Sequence, residues 1–323
     1  MPQLPFSRIQ LGDVPGSGLH TVHSASAPRR NEETCVNFSE FMEKAWKEHA
    51  IQSLQVSMRI ESAFRIIEQP DQIPAMAHLV THVFGEHLGR WDEGIRLLNE
   101  LRRNPAFEQA GENAPAVARF IASLELAGGK RTSVADLSNS DQIRVLAIAA
   151  AALAEQGDAP RAQILFRHGL QVAQQGLRAE DPANRALAVA GNNLACALEE
   201  KSVRSELETE LMILAAQTAR TYWRIAGNWL HWERAEYRLA KAYLQAGDSA
   251  RSLEHAQKCL EISQLNGATA LELFFGCEAS ALAQKAMGNA AGFAHAAAQA
   301  RHYFDSLGTD DQGWCTTALE SLR

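Results

Sequence analysis

The sequence predicts an all-α protein built from antiparallel helix pairs stacked side by side, and three observations carry that expectation. A turn phrase recurs in which an apolar helical run closes on Gly-Asp or Gly-Asn and an Ala-rich helical run follows: Gly157-Asp158, Gly247-Asp248 and Gly288-Asn289. The spacing is long and regular. Gly157 and Gly247 are 90 residues apart, a degraded copy at Glu199 to Ser202 falls halfway, and Gly288 follows Gly247 by 41 residues. A period of this size marks repeat architectures, where a single helix pair cannot bury its apolar face alone. The third observation is composition: 46% hydrophobic residues, with abundant Ala, Leu, Gln and Glu, supply both helix formers and core.

Residues 1–31 carry Pro2, Pro5, Pro15, Gly16, Gly18 and Pro28 without a 3.6-residue period and are expected to form a flexible arm. Gly16-Ser17-Gly18 lacks a third glycine and a preceding strand, so it is no phosphate loop. Residues 32–129 read as an N-terminal helical block with divergent repeats. Asn37 followed by Glu40 has capping-box spacing and starts a helix whose apolar stripe is Phe38, Phe41, Met42, Ala45 and Trp46. The stripe is expected to run on through Ile51, Leu54, Met58 and Ile67 until Pro70 and Pro74 stop it. Helices are then expected from Met76 to Leu88, from Trp91 to Arg103 and from Ala116 to Leu126, the last closed by Gly128-Gly129.

Residues 130–141 are short and polar and read as a junction. From there the spacing predicts pairs at 142–156 with 159–176, 183–200 with 205–226, 231–246 with 249–265, and 268–287 with 290–307. The tail 308–323 is expected to cap the array with a short helix carrying Trp314 and Leu319.

The copy around Gly247 resembles a tetratricopeptide repeat. Counting Gly247 as the fifteenth position of that motif places Leu239, Ala240, Tyr243, Ala256 and Cys259 at its seventh, eighth, eleventh, twenty-fourth and twenty-seventh positions. Ala150, Leu153, Ala162 and Phe166 match the Gly157 copy, and Leu194, Ala195 and Leu198 the intervening one. The spacing departs from the usual 34 residues, as in extended versions of the motif, and the match covers residues 142–307 well and 37–129 only in outline. The resemblance implies a right-handed superhelical array, an α-solenoid, whose first helices line a concave face. In that register Asn192, Asn193, Arg234, Tyr237, Arg238, Lys241, Gln245, Glu278 and Lys285 point into the groove. Such a face attracts an acidic or C-terminal peptide, because Arg and Lys make charge-assisted bonds to carboxylates and Asn satisfies peptide backbone. Asn193, Arg234 and Arg238 look like half of a carboxylate clamp; the other half would need Lys and Asn where Ala147 and Ala151 stand.

Tyr222, Trp223, Trp229, Trp232 and Tyr237 form the densest aromatic cluster and serve either as a peptide anchor or as packing between helices. His78, His82 and Glu86 are spaced by four and share a helix face, but no fourth ligand is near in sequence, so neither a metal nor another cofactor is expected. The net charge of -7 argues against nucleic acid. Cys35, Cys196, Cys259, Cys277 and Cys315 form no Cys-x-x-Cys pair, and a reducing, cytoplasmic setting fits them; no stretch reads as a signal peptide or a membrane span. The expected function is a non-enzymatic scaffold or adaptor that binds a protein or peptide. The alternative is a regulatory sensor whose N-terminal helices contact a target.

Overall fold

A computed structural model describes residues 37–323, the side chain of Trp314 excepted. The expected arm at 1–31, Cys35 and the Trp314 ring therefore lie outside the described residues. Among the described residues the regular structure is entirely helical, and helices pack against their neighbours in sequence. The chain divides into two compact units between Gly128 and Gly129.

In the first unit, helix α1 (Phe38–Glu48) opens on the capping box: the Asn37 side chain accepts from the Glu40 amide at 2.9 Å and the Glu40 carboxylate from the Asn37 amide at 3.3 Å. The apolar stripe does not run on as expected. A turn at His49–Gln52 resets the helical phase, and α2 (Ser53–Ala63) buries Val56, Ser57, Ile60 and Ala63 instead. Ile51 and Met58, expected inward, are 68% and 71% exposed. A short 3₁₀ turn (Phe64–Ile66) leads to α3 (Gln72–Val80), which continues without interruption as a π-helix over Thr81–His87. Helices α4 (Trp91–Leu101) and α5 (Asn113–Ala127) complete a core centred on Ile60, Met76, Leu79, Phe84, Leu98 and Leu124.

The second unit contains the helices α6 (Asn139–Glu155), α7 (Ala159–Ala173), α8 (Pro182–Glu199), α9 (Glu206–Ala226), α10 (Trp229–Gln245), α11 (Ser249–Leu265), α12 (Ala270–Ala286), α13 (Ala290–Asp305) and α14 (Thr309–Glu320). Consecutive helices pair as α6 with α7, α8 with α9, α10 with α11 and α12 with α13, and the first helices of neighbouring pairs also touch: α6 with α8, α8 with α10, and α10 with α12. Three of the turns inside these pairs share one construction. Gly157, Gly247 and Gly288 have φ of 79°, 80° and 73°, in the left-handed region that only glycine enters without strain. The next residue, Asp158, Asp248 or Asn289, sends its amide back to the preceding helix and turns its side chain forward to cap the next one. The degraded copy has no such glycine. There Arg204 donates to the carbonyls of Leu198 and Glu199, both at 3.0 Å, and satisfies the end of α8 by a cation instead.

Helix α8 meets α9 at unusually short range. A Cβ on Gly191 would lie 2.6 Å from the Ala215 carbonyl oxygen and 2.8 Å from the Ala219 amide nitrogen, so only hydrogen fits there. Helix α6 is buried on nearly every side through Ile143, Leu146 and the run Ala149–Ala154.

Candidate functional site

Helix α10 is amphipathic in an unusual sense, because both of its covered faces carry charge. On the side facing α9 and α11, Glu233 and Glu236 are fully buried three residues apart. Glu236 accepts from Arg220 Nε at 2.5 Å and Trp232 Nε1 at 3.0 Å, and its other oxygen lies 2.7 Å from His255 Nδ1. Burial alone would raise its pKa, but the bonds from His255 and Arg220 reverse the effect and hold it below the ordinary value. Glu233 has weaker partners: the Cys259 thiol at 2.8 Å and the Ser263 hydroxyl at 3.3 Å, both on one oxygen. Burial dominates there and pushes its pKa up to about 7.

On the side facing the other first helices, α10 forms a ladder of ion pairs. Arg238 donates to Glu199 at the end of α8; Arg234 reaches Glu272 of α12 at 3.2 Å; Lys241 reaches Glu278 of α12 at 3.0 Å. The Tyr237 hydroxyl donates to Glu278 at 3.2 Å as well. Burial opposes the positive charge of Lys241, but Glu278 and Glu199 outweigh it and lift its pKa above the usual range. For Tyr237, burial and the Glu278 charge act together and keep the phenol protonated.

Of the side chains expected to point into the groove, only Gln245 and Lys285 are exposed. Asn192, Tyr237, Arg238 and Glu278 are buried, and the cations are neutralised by carboxylates one helix pair away. Asn193 and Arg234 are half-buried, and Lys241 is mostly covered. Asn192 donates to the Asn193 side chain at 3.2 Å. Gln245 is exposed and accepts from Arg204 at 2.6 Å; Lys285 is exposed and donates to the Arg323 carbonyl at 3.1 Å. Ala147 and Ala151, at the missing half of the clamp, are buried in α6. Two members of the aromatic cluster are core: Trp223, 1% exposed, stacks on His231 and lies beneath Arg185, and Tyr237 packs on Phe275. Trp232 is half-buried beneath Arg224, and Tyr222 and Trp229 are half-buried too.

The first unit gathers histidines differently from their spacing in sequence. His82 and Glu86 do meet, Nδ1 to Oε1 at 3.0 Å. His78 turns away, with its ring against Trp46 and stacked on Phe120, and burial followed by the His82 charge pushes its pKa down to about 4. In its place stand His49, from the turn after α1, and His87, from the end of the π-helix. One ligating atom from each of His49, His82 and His87 lies within 4.8 Å of the others, and His82 Nε2 is 3.1 Å from His87 Nε2. The π-helix explains why spacing by four misses this pairing. Its bonds close from i to i+5, as from the Leu88 amide to the Val83 carbonyl, so residues five apart share a side. The histidine five after His82 was the available signal for that register; nothing local marks His49.

No protein-family model matches the chain, and no curated protein matches it. Among the described residues, the chemistry that stands out is a charged ladder between first helices in one unit and a histidine cluster in the other.

Proposed function

We propose that residues 142–307 form a tetratricopeptide-like superhelical array capped by 308–323, and that the protein is a non-enzymatic scaffold or adaptor holding a protein or peptide. The observation that supports this reading is the successive contact of α6, α8, α10 and α12, the first helices of their pairs, with three of the four pairs closed by turns of one construction. Stacking of this kind builds a continuous surface from equivalent helix positions. The ladder ties neighbouring first helices together, and the half-buried Asn193, bonded to Asn192, and Arg234, bonded to Glu272, are donor-bearing groups on it of the kind that meet a carboxylate or a peptide backbone. Affinity capture with the full chain tests the reading. The partner retained by wild type is expected to be lost from an Asn193→Ala, Arg234→Ala double variant whose melting curve is preserved. Retention of the same partner at the same yield rules out this face.

The division of the described chain at Gly128/Gly129 favours a second reading, a regulatory sensor in which the N-terminal helices contact a target while the repeats bind a ligand. Limited proteolysis across residues 129–138 with and without the captured partner separates the two: a scaffold leaves the cleavage rate unchanged, a sensor alters it.

A further inference from the structure

We propose that His49, His82 and His87 form a binding site for a divalent transition ion of the zinc type, oriented by Glu86 and the Trp46 carbonyl. This site lies in the unit formed by α1 to α5 and is independent of the peptide-binding reading.

A histidine ligates as the neutral ring, and the nitrogen that ligates is decided by the bond its other nitrogen makes. His82 Nδ1 lies 3.0 Å from the Glu86 carboxylate, which fixes the proton on Nδ1 and presents Nε2 as a lone-pair donor. His49 Nδ1 lies 2.5 Å from the Trp46 carbonyl oxygen, which accepts only, so the same tautomer follows and His49 Nε2 is also a lone-pair donor. His87 meets His82 through Nε2 at 3.1 Å. The three rings approach pairwise with centroids 4.9, 5.1 and 4.7 Å apart, and one ligating atom of each lies within 4.8 Å of the others. A tetrahedral ion with nitrogen ligands at about 2.0–2.1 Å holds those nitrogens about 3.4 Å from one another. The His82–His87 separation of 3.1 Å is close to that value, and the His49 ligating atom lies within 4.8 Å of both.

The second shell is of the kind metal sites use: a carboxylate behind one histidine and a backbone carbonyl behind another. Imidazole nitrogens without a thiolate suit Zn²⁺, Ni²⁺, Cu²⁺ or Fe²⁺ more than Mg²⁺ or Ca²⁺. Three ligands leave a position for water, and His87, the half-buried member, sits on the accessible side. The π-turn contributes as well. It costs helical regularity, and π-turns are frequent at functional sites.

The experiment is titration of the full chain, stripped by chelator, with Zn²⁺ under a competing chromophoric chelator, with Co²⁺ as a spectroscopic stand-in. One equivalent is expected to bind, and Co²⁺ to give a visible ligand-field spectrum. His87→Ala and His49→Asn are each expected to weaken binding by at least 100-fold and Glu86→Gln by about 10-fold to 100-fold. His78→Gln is expected to leave it within threefold. His87 is the least buried ligand, so its variant tests the site without disturbing the core, and circular dichroism confirms helix content. Absence of stoichiometric binding by wild type overturns the proposal. So does binding that survives both ligand variants, or that His78→Gln abolishes.

Discussion

At the scale of single residues, the contrast between Glu233 and Glu236 shows how partner strength decides the charge of a buried carboxyl. Both are fully buried on one helix, yet one has an arginine and a histidine while the other has a thiol and a hydroxyl. Glu233 has a folded pKa of about 7 against an ordinary value of 4.5. The folded state thus holds that proton more tightly than the unfolded chain. Its contribution is complete below the ordinary value and is lost as pH rises through about 7, on the order of 3 kcal/mol in all. Glu233→Gln keeps the acceptor for Cys259 and Ser263 and removes the titration. Urea denaturation at a series of pH values is expected to show wild type weakening relative to this variant between about pH 4.5 and 7 and running parallel to it above; parallel stabilities across that window would contradict a neutral Glu233. Glycines give a second residue-scale prediction. Gly191→Ala forces Cβ into the backbone of α9 and is expected to destabilise by about 1–3 kcal/mol. Gly313→Ala, with open space around it in α14, is expected to stabilise by about 0.5–1 kcal/mol in the same assay.

At the scale of elements, what was legible was what is local. A glycine in the left-handed region followed by an acceptor side chain announces itself in two adjacent letters, and the helix pairs around residues 157, 247 and 288 follow from it. Gly247→Ala is expected to cost about 1–2 kcal/mol through backbone strain and Asp248→Ala about 1 kcal/mol through loss of the cap, both read from thermal melts. A loss at Asp248 without one at Gly247 would mean the turn adopts another conformation in solution. Elements whose geometry depends on a distant or cumulative effect were not legible. The phase reset at His49–Gln52 moved the buried stripe of α2 off Ile51 and Met58, and the wide turn after α3 replaced a partner four residues away with one five away. For the degraded copy, the substitute for glycine is Arg204, a side chain arriving from beyond the turn.

At the scale of the whole molecule, the order of pairs in the second unit was readable, whereas the neutralisation of its cations was not. The bonds Arg238 to Glu199, Arg234 to Glu272 and Lys241 to Glu278 span 39, 38 and 37 residues, close to one repeat. Opposite charges one period apart were therefore the signal for them, invisible to any window shorter than a repeat. Buried pairs of this kind are fragile to half-removal. Arg238→Met is expected to destabilise by about 3–5 kcal/mol, while the Glu199→Met, Arg238→Met double variant recovers most of that loss. A double-mutant cycle by chemical denaturation measures the difference, and strictly additive losses would deny that the pair acts as a unit.

The ladder also restricts how such a chain lengthens in evolution or in the laboratory. Helix α10 presents cations to acids on both sides, at the end of α8 and along α12. Copying α10 and α11 as a module would set arginine and lysine against arginine and lysine, whereas copying a cation-bearing pair together with an acid-bearing one keeps the alternation. The smallest heritable insertion that preserves this interior is thus two hairpins, not one.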